Sequence, residues 1–224
     1  NIYLKANWEV ASGFSLFGDV QYRHINYTIK GTNDKWDKAA GAMQHIDVDN
    51  NYDFFNPKAG IFWQANDMLD VYASVAVANR EPTRNNFTDA ETDVAPKPER
   101  LIDYEAGVTY RGRSVWTGAN LYYMDYKDQL VLTGGVNHIG EPLTANVEKS
   151  FRAGIELSAG VRITHWLSWG VNATLSRNRI KDYVELVEAY DSGQKDIPQK
   201  SIEHGDTDIS FSPNITAASN ITFT

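Results

Sequence analysis

From position 151 to 163 the chain alternates strictly. Phe151, Ala153, Ile155, Leu157, Ala159, Val161 and Ile163 are apolar, and Arg152, Gly154, Glu156, Ser158, Gly160 and Arg162 between them are charged, polar or tiny. Side chains of a strand point to opposite faces in turn, so one face of this strand is wholly apolar. The same period of two predicts strands over 2–10, 14 to about 30, 55–65, 69–77, 102–111, 115 to about 132, 167–175 and 209–223. In the first, Ile2, Leu4, Ala6, Trp8 and Val10 oppose Lys5, Asn7 and Glu9; in the fifth, Ile102, Tyr104, Ala106, Val108 and Tyr110 oppose Asp103, Glu105, Thr109 and Arg111. Segments of about ten residues with this alternation are how a transmembrane β-barrel is encoded.

The connections alternate as well. Short turns at 11–13, 66–67, 112–114 and 164–165 are interleaved with polar stretches at 31–53, 79–100, 133–141 and 181–205, which read as long loops. Pro82, Pro96 and Pro98 exclude a central strand from the second of these. Outer-membrane barrels place short turns on the periplasmic side and long loops outside. Trp8, Phe14, Trp63, Tyr110, Trp116, Trp166 and Trp169 flank the short turns, as an interfacial aromatic girdle does. The first and last strands both descend, giving about nine strands where a single-chain bacterial barrel has an even number. Open edges in lipid leave backbone groups unsatisfied at several kcal/mol each. The expected fold is therefore all-β: an antiparallel transmembrane barrel segment, 1–224, interior to a larger barrel, with Asn1 and Thr224 not true termini. The competing reading is a soluble antiparallel sandwich or solenoid with one wet face. Strands longer than five or six residues and recurrent mid-strand Gly and Ala weigh against it.

Composition changes little in this picture. The hydrophobic fraction of 42% and mean hydropathy of -0.45 would suit a soluble protein, but barrel strands hide apolar content in alternation. No stretch approaches the twenty or so apolar residues of a membrane helix. The chain has no cysteine, which removes thiolate chemistry and disulfides. A net charge of -8 argues against a nucleic-acid partner.

No catalytic constellation assembles. Glu105, Glu156, Arg111 and Arg162 fall on inward faces and read as a charged wall ladder rather than an acid–base pair. No metal motif, phosphate loop or cofactor is expected. The better chemistry is ligand binding at the long-loop side. Arg80, Arg84, Asn85 and Asn86 supply guanidinium forks and amides suited to carboxylate, catecholate or phosphate acceptors. Arg80 alternatively pairs with a neighbouring strand or with Glu81. Trp36, Tyr52 and Phe87 add apolar or stacking surface. His45, His138 and His204 lie in three separate loops, where imidazole is either an iron or haem ligand or simply solvated; His24 and His165 read as interfacial or structural. Asp89, Glu91, Asp93, Glu185 and Glu188 are acids that would meet lipopolysaccharide through divalent ions.

Several ordered motifs resemble one family. They are Asn56-Pro57-Lys58-Ala59-Gly60, Leu69-Asp70-Val71-Tyr72-Ala73-Ser74, Arg80-Glu81-Pro82-Thr83, Tyr104-Glu105-Ala106-Gly107, the run from Leu121 to Gln129, and Gly154-Ile155-Glu156-Leu157 after Asn146-Val147. In this order the chain resembles TonB-dependent outer-membrane receptors, especially those of Bacteroidetes. The match departs at Asn79 and Glu81, where that family commonly has an aromatic residue and an alanine. The resemblance implies a barrel of about 22 strands filled by a plug domain, neither plug nor closing strands being within this sequence. It also implies import of a scarce nutrient, an iron-siderophore or haem chelate foremost, energised by TonB-ExbB-ExbD. Outer-membrane lipid, lipopolysaccharide and a surface lipoprotein are the further partners it suggests. A passive porin or adhesin-like barrel, or uptake of cobalamin or oligosaccharide, are the alternatives.

Overall fold

The computed structural model describes residues 1–37, 41–88, 95–136, 142–187 and 200–224. In chain order the elements are β1 (Ile2–Ala11), β2 (Phe14–Asp37), β3 (Ala42–Asn66), β4 (Leu69–Arg80), α1 (Arg84–Thr88), β5 (Glu99–Arg111), β6 (Val115–Val136), β7 (Pro142–Arg162), β8 (Leu167–Val187), β9 (Lys200–Asp208) and β10 (Ile215–Phe223). All ten strands join one sheet, in sequence order from β1 to β8. Each neighbouring pair is antiparallel. β10 pairs with the lower part of β8 and β9 with its upper part, so the two succeed each other along one edge. Expecting one continuous strand at 209–223 therefore needs correction. Residues 209–214 break the strand, with Phe211 at φ 56°, and only from Ile215 does it pair again.

The register keeps the apolar set together. At one level Leu4 opposes Val20, Val20 opposes Pro57, and on the far side Leu121 opposes Ile155 and Ile155 opposes Leu175. A slip of one residue would turn each strand's apolar set to the other face. The outward apolar side chains are not covered: Leu4 is 73% exposed, Leu121 57% and Leu175 46%. A sandwich would bury them against a second layer, and an apolar surface of this extent calls for lipid. Among the described residues no helix is long and apolar enough to cross a membrane, so any crossing is by strands.

On the inward face, four cross-strand pairs set an aromatic ring over a glycine: Phe17 on Gly60, Tyr72 on Gly107, Trp116 on Gly160 and Tyr122 on Gly154. The missing side chain lets each ring lie flat across its neighbour. Polar links fill the spaces between. Tyr72 Oη donates to Asn120 Oδ1 at 2.7 Å, Asn120 Nδ2 donates to Glu156 at 3.4 Å, and Arg111 is paired with Asp70.

Of the polar stretches that read as loops, 31–53 is strand over nearly all of its described residues, 133–136, 181–187 and 200–205 also extend strands, and 81–88 and 95–98 stay outside the sheet. β2 and β3 run 24 and 25 residues, and β6, β7 and β8 run 22, 21 and 21. Above the row Tyr22–Phe55 the alternation persists but its polarity reverses. Outward positions become His24, Asn26, Thr28 and Lys30 on β2, and Asp53, Asn51, Asp49 and Asp47 on β3. Inward positions become Ile25, Tyr27 and Ile29, opposite Tyr52, Asn50 and Val48, with Ile46 opposite Gly31 above them. The reversal marks the upper edge of the membrane: below it the outside is lipid, above it water and headgroups. At that edge Tyr22 Oη donates to Asp53 Oδ1 at 2.5 Å and His24 Nδ1 approaches the same oxygen at 2.8 Å. The Tyr22 hydrogen bond first, and His24 second, hold the Asp53 carboxyl below its ordinary value.

Candidate functional site

The described residues between β4 and β5, 81–88 and 95–98, fold into the mouth of the curved sheet. Its two ends are closed by a strand pair: Arg80 opposes Glu99 in register and donates to its Oε1 at 2.7 Å. Glu99 is 8% exposed and the same oxygen accepts the Leu130 backbone N–H at 2.6 Å. Arg80 thus takes the neighbouring-strand partner that its sequence position allowed, and its role here is to close the segment.

Pro82 is fully buried and ends the extended run. Thr83 precedes α1, its N–H and hydroxyl both donating to Asn86 Oδ1 at 2.7 Å, the half of a capping box in which the side chain three residues on reaches back, while the Asn86 N–H donates to the Thr83 carbonyl at 3.1 Å. Asn86 Nδ2 then reaches Thr144 Oγ1 on β7 at 2.9 Å. Phe87 stacks on Tyr27 of β2, centroids 5.7 Å apart. β2 and β7 are separated by four strands, about 24 Å along the arc at a spacing of ~4.8 Å. A five-residue helix is only about 7.5 Å long. It contacts both because the sheet curves around it, which places α1 on the concave, inward side. Asn146 fastens the returning chain, accepting from Lys97 N at 2.8 Å and donating to Lys97 O at 3.0 Å.

Beside α1 lies a guanidinium–aromatic cluster that reading the sequence missed. Arg23 Nη2 bonds both Glu81 oxygens at 3.2 and 3.3 Å and lies 5.9 Å from the centroid of the buried Phe54 ring. Phe54 stacks on Tyr52 at 5.7 Å, and Asn50 Nδ2 donates to Tyr52 Oη at 3.2 Å. Burial raises the Tyr52 phenol above its ordinary value, so it stays a neutral donor at pH 7. The signal that would have found this cluster is the reversal of polarity after Arg23. Inward residues just above that point cannot face lipid and must line the mouth.

The structure groups the sequence candidates unevenly. Tyr52 belongs to this cluster, Asn86 instead ties α1 to β7, and Arg84 and Asn85 stand exposed at the start of α1. Trp36 is 58% exposed near the tip of the β2–β3 hairpin. His45 is exposed on the outward face of β3, opposite Thr32, away from α1. His204 sits on the separate β8–β9 hairpin, its Nε2 2.7 Å from Glu185 and its ring stacked on Tyr183. Trp36, His45 and His204 are therefore not brought together with the α1 cluster. His138 lies outside the described residues, as do Asp89, Glu91, Asp93 and Glu188. Among the described residues no three His, Asp or Glu side chains are grouped to hold a metal ion.

Comparison with known proteins gives one consistent picture. No curated protein sequence matches the chain. Solved structures do. The ferric yersiniabactin uptake receptor FyuA of Yersinia pestis is 21% identical with a TM-score of 0.65, over 98% of this chain and 30% of that one. The ferric-catecholate import receptor Fiu of E. coli is 17% identical with a TM-score of 0.68, over 99% and 31%. The copper transporter OprC is 16% identical with a TM-score of 0.63, over 80% and 29%. The chain thus spans about three-tenths of the length of these structures. The family model for the TonB dependent receptor-like β-barrel matches residues 1–223. With the sheet, the exposed apolar face and the asymmetric connections already described, this match settles the family: the chain belongs to the TonB-dependent receptors and is a segment of their outer-membrane β-barrel, a receptor wall and not an enzyme.

Proposed function

We propose that the chain supplies wall and ligand-selecting mouth to a receptor that imports a scarce nutrient, an iron chelate foremost, through a plug-filled barrel energised by TonB-ExbB-ExbD. The observation that carries this reading is α1, held on the inward side of the mouth by Phe87 on Tyr27 and Asn86 on Thr144, with Arg84 and Asn85 exposed on it and Glu81, just before it, bonded to Arg23. Guanidinium forks and aromatic rings together suit an anionic chelate built of planar aromatic rings, by bidentate hydrogen bonds to its oxygens and by stacking on its rings. FyuA and Fiu are named for ferric chelates, and OprC for copper, which supports metal cargo generally and ferric chelates first.

The test uses the full-length receptor in detergent with a ferric tris-catecholate complex as probe. Replacing Arg84 and Asn85 together by alanine is expected to weaken binding at least tenfold, about 1.4 kcal/mol. The heat-modifiable migration of the folded barrel should stay as in the parent. Unchanged affinity would remove α1 from the ligand site. A wild-type receptor that takes up cobalamin or an oligosaccharide but no ferric chelate would overturn the cargo.

A further inference from the structure

The outward face just above the membrane edge is split in charge. On β2 and β3 it carries His24 and Lys30 among Asp47, Asp49 and Asp53, with Lys30 Nζ 3.4 Å from Asp47 and His24 bonded to Asp53. On β5 to β8 it carries Arg100, Lys127, Lys149, Arg179 and Lys181, with Arg177 lower on β8, opposite Ala153. Two of these six are neutralised, Arg179 by Asp208 at 3.3 Å and Lys181 by Asp206 at 2.6 Å. Lys181 also lies 5.4 Å from the centroid of Phe151, an outward ring stacked on Tyr123, which sets the basic belt directly on the aromatic row.

The other four cations are exposed and show no ion pair among the described residues. Three of them are directly opposed across adjacent strands, Arg100 to Lys127 and Lys127 to Lys149. Opposed residues in a sheet have Cα atoms about 4.5–5.5 Å apart, and like charges there destabilise the pair. One carboxylate shares this face, Asp125, a step below Lys127 and opposite Ile102 and Phe151. A single carboxylate does not balance the row. The row also points away from the mouth, so it takes no part in selecting cargo.

We propose that Arg100, Lys127 and Lys149 form a site for the phosphate groups of an anionic lipid of the outer leaflet, the phosphorylated glycolipid headgroup of lipopolysaccharide. An anion with several oxygens relieves the opposed charges at once, and Arg100 presents the planar fork that phosphate accepts in bidentate fashion. The acyl chains then lie where the sheet is apolar, along Tyr104, Tyr123 and Leu121 below. Basic residues at a membrane surface are attracted to anionic lipid within a Debye length, and a row set on the aromatic belt satisfies that distance. This moves lipopolysaccharide contact from the acidic loop residues, where divalent ions would be needed, to a basic row that binds phosphate directly.

Native mass spectrometry of the full-length receptor in detergent tests it, with bis-phosphorylated lipid A and enzymatically dephosphorylated lipid A as the two probes. Wild-type receptor is expected to retain phosphorylated lipid A at least tenfold better than the R100Q/K127Q/K149Q variant, and at least tenfold better than it retains the dephosphorylated form. Without lipid the variant should melt at or above the wild-type temperature, because repulsion has been removed. Should the triple variant not refold, Lys149→Gln alone should give an intermediate loss. Equal retention by wild type and variant, equal retention of both lipids, or retention abolished by EDTA and unaffected by the glutamines would overturn the proposal. A lower melting temperature of the lipid-free variant would also contradict it, since the cations would then be structural.

Discussion

Replacing Gly107 by valine should destabilise the barrel wall by about 2–3 kcal/mol, the sum expected for overpacking a filled site and breaking a hydrogen bond. A Cβ at this position would fall within the Tyr72 ring, which lies over Gly107 as its directly opposed cross-strand neighbour. That ring cannot simply swing aside. Its hydroxyl is fixed to Asn120 on β6 at 2.7 Å, and Asn120 is tied in turn to Glu156 on β7. Valine would therefore break a link across four strands for a change of three carbon atoms. Urea unfolding in detergent micelles, read by tryptophan fluorescence, measures the loss. The double variant Tyr72→Ala/Gly107→Val supplies the control: with the ring gone, the valine should cost markedly less than it does alone. Equal costs in the two backgrounds would mean that the ring and the glycine are not coupled.

Glu99→Ala is expected to act on the mouth. It removes a buried carboxylate that receives both Arg80 and the Leu130 N–H. Losing a partner leaves a buried donor unsatisfied at about 1–3 kcal/mol, and charged partners lie at the upper end. Arg80 is largely exposed and recovers water, so about 2 kcal/mol is the expected cost. The more telling effect is local. The segment from Glu81 to Pro98 would lose its closing clasp, and amide hydrogen exchange in α1 should rise at least tenfold while exchange in β7 at 152–160 stays unchanged. Glu99→Gln keeps an acceptor for Leu130 and should recover part of the protection. Uniform acceleration across the barrel would contradict a local clasp.

Much of this architecture is legible in sequence because a barrel wall is a single layer and each residue's side follows from parity alone. Phe151 to Ile163 fixes one strand unambiguously, and the short turns fix the connectivity. Two things escape that rule. Strand length is one of them: polar residues begin at His24 and Asp53, and the sequence reading ends β2 near Lys30 and starts β3 at Phe55, although the backbone ladder continues to Asp37 and from Ala42. The change at those residues is one of solvent and not of structure. The site was only half visible for a related reason. Arg84, Asn85 and Asn86 stand out in a loop, whereas Arg23 and Phe54 look like ordinary inward wall residues until the fold sets α1 against them. Asn146 gave no signal either, since its function is to hold the backbone of Lys97, 49 residues away. Residue type alone makes the histidines ligand candidates; the geometry places His45 on the outward face and His204 against Glu185.

The central claim is that one face meets lipid up to Tyr22 and Phe55 and water above them. This chain contains no cysteine, so single cysteines placed in it report without background once any cysteine elsewhere in the full-length receptor is replaced by serine. Spin labels at successive positions from 16 to 30 of β2, in the full-length receptor reconstituted in liposomes, should show oxygen accessibility at 16, 18, 20 and 22. Labels at 24, 26, 28 and 30 should instead be reached by a water-soluble nickel chelate. Accessibility to oxygen that continued through 24–30, or equal accessibility of odd and even positions below 22, would contradict the account.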